Sequence, residues 1–116
     1  MEHGVPLVIA TVTLLPEFQG IRRIGGRQYR PHIVIGPTSQ RQALVDAGNV
    51  LTEQYLGVCF WSGPEELHPG VPAEVSLALM YFDGAAEQYS SVVPGATFTV
   101  REGPHIIGYG HVQARA

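Results

Sequence analysis

The chain contains no lysine. Its 116 residues carry seven arginines against ten Asp and Glu, for a formal net charge of −3. This balance excludes a protein whose whole surface grips nucleic acid, because that requires a broadly positive field. There is one cysteine, Cys59, which excludes a disulfide framework and a zinc site built from several thiolates. Charged residues make up only 15% and hydrophobic ones 45%, which excludes a disordered polyelectrolyte. Long apolar runs are also missing. The stretch from Val5 to Leu15 is interrupted by Pro6, Thr11 and Thr13, and Met1-Glu2-His3-Gly4 has no basic character. Neither a signal peptide nor a membrane span is expected, so the expected compartment is the cytoplasm, with Cys59 a free thiol.

No stretch of eleven or more residues keeps a 3.6-residue period with a cap at each end. Alternation with period two is present instead. Val8, Ala10, Val12 and Leu14 point one way while Ile9, Thr11 and Thr13 point the other, which predicts a strand over 7–15. Thr97, Thr99 and Arg101 alternate with Phe98 and Val100. Val75, Leu77 and Leu79 alternate with Glu74, Ser76 and Ala78 ahead of Met80-Tyr81-Phe82. Further strands are expected at Pro31–Ile35, Gln42–Asp46, Glu53–Trp61 and His105–Ala114. Gly-Pro, Pro-Gly, Gly-Asn and Asp-Gly pairs separate them. The pattern predicts an all-β fold: a six- to seven-stranded antiparallel closed β-barrel, with closure removing sheet edges that few charges guard. One domain is expected over 1–116, with its core at about 7–114.

The net charge averages two opposed runs. Residues 18–45 hold five arginines and no acid, whereas residues 46–100 hold seven acids and no base. One reading is a solvated surface with clustered charges. The other is an arginine-rich face opposite an acidic one, a dipole that would steer a partner.

Residues suited to catalysis do not assemble into a motif. His3, His32, His68, His105 and His111 match no metal-ligand spacing. Cys59 lies in Val58-Cys59-Phe60-Trp61 without an adjacent base, which suits a small buried hydrophobe rather than a reactive thiol. Glu65-Glu66 reads as a solvated turn, and a phosphate-binding loop ending in Gly-Lys is impossible without lysine. Tyr29, Tyr81, Tyr89, Tyr109 and Trp61 could stack on bases, although aromatic residues in a β core serve packing more often. No catalytic residue, cofactor, metal or bound GTP is expected.

Three ordered segments carry a family resemblance. An alternating strand leads to Gly20-Ile21-Arg22-Arg23 and then Tyr29-Arg30-Pro31-His32. His68-Pro69-Gly70 follows in the middle. The chain closes on Arg101-Glu102-Gly103-Pro104-His105-Ile106-Ile107-Gly108-Tyr109-Gly110-His111-Val112. Together they resemble the C-terminal β-barrel, the third domain, of elongation factor Tu over most of residues 7–114. Residues 37–66 depart from that pattern, as do Gln19-Gly20-Ile21, Ile24-Gly25-Gly26 and His105.

The resemblance implies a six-stranded antiparallel barrel without a catalytic group, which in the family packs on the GTPase domain and helps hold the T-stem of aminoacyl-tRNA. It implies contacts at Arg22 or Arg23 and at Glu102 and Gly103; the candidate partner-binding set is these residues with Arg27, Arg30 and His105. Arginines and backbone amides hold phosphate and ribose without reading sequence. Beginning at Met1 without a GTPase domain, the chain is expected to be a detached binding module that neither hydrolyses GTP nor delivers tRNA. The expected partner is a protein linked to translation. Alternatives are a tRNA-like or other structured RNA bound by the 20–30 arginine loop and, less favoured, a small ligand or substrate.

Overall fold

A computed structural model describes residues 6–17, 20–50, 52–80 and 86–115. Among the described residues eight strands form: β1 (Leu7–Leu14), β2 (Arg22–Arg23), β3 (His32–Ile35), β4 (Leu56–Ser62), β5 (Glu66–Leu67), β6 (Ala73–Leu79), β7 (Thr97–Glu102) and β8 (His105–Arg115). Six of them close into an antiparallel barrel in the order β1-β6-β4-β3-β7-β8, and β2 pairs with β5 as a separate two-stranded ribbon. The expected closed barrel is therefore present.

Alternation in the sequence becomes the inside and outside of the wall. Val8, Ala10, Val12 and Leu14 of β1 are all buried, as are Val75, Leu77 and Leu79 of β6, and they interlock with Val58, Phe60, Phe98 and Val100. The register places Val8 opposite Leu77 and Ala10 opposite Val75. The inward position on β8 opposite Phe98 is Gly110. A Cβ there would lie 2.3 Å from the Thr11 carbonyl oxygen and 2.8 Å from the Phe98 ring. Glycine is needed because the aromatic ring already fills the space above the backbone.

Several expectations shift at their edges. β3 begins at His32, β4 at Leu56, and β8 extends to Arg115. Met80 falls in a turn after β6, and Tyr81-Phe82 lie outside the described residues. The strand expected at Gln42–Asp46 does not form. That segment belongs to a long connection, residues 36–55, between β3 and β4. There the Asp46 carboxylate accepts the amides of Gly48 (2.8 Å) and Val50 (3.0 Å) and turns the chain back on itself. A short side chain that bonds its own backbone competes with strand pairing. Two 3-10 turns, Gly25–Arg27 and Ala86–Tyr89, complete the described secondary structure.

Candidate functional site

The candidate residues gather at the barrel end where β4 and β7 finish and β3 begins. There β2 pairs with β5, bringing Arg22 opposite Leu67 and Arg23 opposite Glu66. The hairpin turn between β7 and β8 carries Gly103 at φ +60, a conformation glycine adopts without a Cβ penalty. It pairs Glu102 with His105.

Arg22 and Glu102 form a two-pronged ion pair. Nε donates to Oε2 at 2.6 Å and Nη2 to Oε1 at 2.7 Å, with both side chains about a quarter to a third exposed (26% and 31%). The Tyr29 hydroxyl donates to the same Oε2 at 2.5 Å while its ring packs on Phe60, centroid to centroid 5.1 Å. The fork of donors suits a carboxylate better than a single ammonium does. The Arg22 hydrogen bonds hold the Glu102 carboxyl below the usual range, and Tyr29 adds to the effect. Burial, reinforced by the hydrogen bond to Glu102, pushes the Tyr29 phenol well above its ordinary value, so it stays a donor.

The other arginines are held differently. Arg23 lies 81% exposed with Nε 3.6 Å from Glu66. Arg27 adopts φ +59, a left-handed conformation that costs a non-glycine residue about 1–2 kcal/mol. Its guanidinium carbon sits 3.8 Å from the centre of the Trp61 ring, and Nε donates to the Trp61 carbonyl at 3.2 Å. The buried Cys59 thiol bonds the Arg27 carbonyl at 3.3 Å. Arg30 is exposed and has no ion-pair partner among the described residues. His105 is exposed and lines a shallow groove of about 350 Å³ with Leu15, Glu17, Glu102, Ile106 and Ile107.

Arg22, Glu102, Gly103 and His105 thus come together as one cluster with Tyr29, while Arg27 joins Trp61 and Arg30 stands apart. The two charge runs do not form separate faces at this end. Glu66 pairs with Arg23, and the Glu65 carbonyl accepts the amides of Ile24 and Gly25 at 3.0 and 3.4 Å. An antiparallel ribbon has interleaved two segments of opposite charge. Among the described residues, no three of His, Cys, Asp and Glu converge as a metal site would require.

Sequence reasoning missed the most buried charge. Arg101 is 0% exposed on the outer side of β7, covered by the 36–55 connection. Nη1 and Nη2 bond Glu53 Oε1 and Oε2 at 2.9 and 3.0 Å, Nη1 also meets the Tyr55 hydroxyl at 3.0 Å, and Nε meets Thr99 Oγ1 at 2.9 Å. Burial disfavours the Arg101 charge, but Glu53 and Tyr55 more than offset it. The Arg101 hydrogen bonds, aided by Gln40 and the Leu44 amide, bring Glu53 down to about 2. The one available signal was an arginine in register with Thr97 and Thr99 on a strand whose other face is core. Nothing pointed to Glu53, 48 positions away.

No protein-family model matches the chain, and no curated protein matches it.

Proposed function

We propose that this chain is a non-catalytic binding module, akin to the third domain of elongation factor Tu, that engages a protein partner linked to translation through the arginine end of the barrel. One observation carries the choice of a protein: the end is a mixed-charge surface. Arg22 is committed to Glu102, which Tyr29 also holds, Arg23 is paired with Glu66, and the Glu65 side chain lies exposed beside them. A phosphate backbone meeting this surface would face three carboxylates among its arginines, which costs affinity through like-charge contact. A protein surface of alternating charge matches both signs. Arg27, fixed over Trp61, and the open Arg30 are the cations left to contribute, and a guanidinium already ordered loses less entropy on binding.

The test immobilises the chain and offers purified elongation factor Tu, its exchange factor and unmodified tRNA, each at two salt concentrations. The expected result is retention of a protein, weakened by the double change Arg27→Gln and Arg30→Gln. Affinity for tRNA that falls steeply with salt and is lost in the same variant would replace this reading with RNA binding. Retention of none of the three would remove the link to translation.

A further inference from the structure

A second surface lies on the outer wall of the barrel and shares no residue with the arginine end. β8 runs between β1 and β7, and its outward side chains form cross-strand rows. Thr11, His111 and Thr97 make one row, and Thr13, Tyr109 and Thr99 the next. The start of the 36–55 connection rises beside them, fastened where the Gly36 amide donates to the Thr97 carbonyl (3.0 Å) and Thr97 Oγ1 to the Gly36 carbonyl (2.8 Å). Thr38 and Arg41 come with it. The result is an open cleft of about 570 Å³, lined also by Pro72 and Gly95, within the range that holds a small molecule.

We propose that this cleft binds a small sugar bearing a single anionic group, such as a sugar phosphate or a sugar acid. Three features of the lining select that class. The polar groups are hydroxyls, a phenol and an imidazole, each able to donate or accept; sugar hydroxyls have the same dual character. The Tyr109 ring, Gly110, Pro72 and the threonine methyl groups supply flat apolar surface suited to the C–H faces of a sugar ring. Among the described residues no carboxylate lines the cleft, Glu74 standing one strand away opposite Thr11, whereas the Arg41 guanidinium carbon stands 5.6 Å from the centre of the Tyr109 ring. Arg41 spends Nη1 on the Thr38 and Gln40 carbonyls, which fixes its position and leaves Nη2 for an anion.

The groups are also available. Thr11 accepts a bond from the Gln113 amide and Thr97 serves Gly36. Thr38 Oγ1, the Tyr109 hydroxyl and the His111 imidazole make no hydrogen bond with the described protein groups. They are presented by a closed barrel wall and by a connection that the buried Arg101–Glu53 pair clamps down. A rigid backing of this kind is what keeps a polar site in register for its ligand.

The experiment is a ¹⁵N–¹H shift titration of the intact chain with glucose 6-phosphate, glucuronate, glucose and inorganic phosphate. Both charged sugars are expected to move the amides of Thr11, Thr38, Tyr109 and His111, with glucose binding the same place about tenfold more weakly for want of a charge-assisted bond. The phosphate and carboxylate arms decide which anion is preferred. Arg41→Gln should erase the advantage of the charged sugars and leave glucose unchanged. Tyr109→Ala should weaken all three sugars about tenfold, and Tyr109→Phe, which keeps the ring and the fold, should weaken them less. Inorganic phosphate binding as tightly as glucose 6-phosphate would overturn the proposal, as would shifts confined to other residues or none at roughly ten-millimolar sugar.

Discussion

Replacing Glu53 by glutamine tests how the 36–55 connection is held. In the folded chain the carboxyl falls from the ordinary 4.5 to about 2 because Arg101 bonds its ionised form. A displacement of that size corresponds to about 3 kcal/mol of stabilisation at neutral pH. Removing one partner of a buried pair costs about 3–5 kcal/mol, because the survivor is left charged and uncompensated. The pair lies beneath a single layer of chain, so nearby solvent favours the lower end of that range. There is also a ceiling. Arg101 belongs to the barrel wall, and release of the connection alone returns it to water. The loss in global stability therefore cannot exceed the free energy of that local opening, and any excess appears as faster exchange in the connection.

Two measurements follow on Glu53→Gln, urea unfolding and amide exchange at Leu44, Asp46 and Val50. At pH 7 the variant is expected to lose about 2–3 kcal/mol in the first, or to lose most of its protection at those amides in the second. The sign with pH is fixed by the depressed carboxyl. The stabilisation is complete above 4.5 and is lost as pH falls towards about 2, so native chain and variant should converge across that window. Glu102 titrates in both proteins and cancels from the comparison. A variant as stable and as well protected as the native chain at pH 7, or a deficit that persists unchanged at the acid end, would refute the assignment.

Tyr29→Phe removes the phenol that bonds Glu102 while keeping the ring on Phe60, and should cost about 1–2 kcal/mol in urea unfolding at pH 7. Gly110→Ala forces a methyl group against the Thr11 carbonyl and the Phe98 ring; a loss on the order of 3 kcal/mol, with a lowered melting temperature by circular dichroism, is expected. Cys59 is 1% exposed, so an aromatic disulfide reagent should titrate no thiol in the native chain and one after unfolding.

How much of this fold could be read in advance depends on which physical signal each segment carries. β1, β6 and β7 alternate in residue type because one face is apolar core and the other carries mostly small or polar side chains, those of Thr99 and Arg101 on β7 being covered in turn by the 36–55 connection. Period-two patterning is the signal least disturbed by context. The strand expected at 42–46 failed for a local reason. Gln42, Leu44 and Asp46 alternate with Ala43 and Val45, but the Asp46 carboxylate is spent on the Gly48 and Val50 amides. Leu44 and Val45 are left 58% and 47% exposed on the connection. β2 and β5, two residues each, are too short for any periodicity to exist.

Charge was the least legible property, because sequence counts it along the chain and folding redistributes it across space. Five arginines without an acid looked like a uniform positive loop. The β2–β5 pairing sets Arg23 against Glu66, the β7–β8 turn sets Arg22 against Glu102, and the 36–55 connection brings Glu53 to Arg101. Each joins residues 43 to 80 positions apart, a separation at which local spacing rules carry no information. What survives as free positive charge is set by those pairings: Arg27 is stacked on Trp61 rather than neutralised, and Arg30 stands open. The functional consequence follows from that remainder rather than from the formal count. The protein partner we propose would meet two available guanidinium groups among fixed ion pairs, a mixture of signs that a phosphate backbone, presenting only negative charge, would match less well.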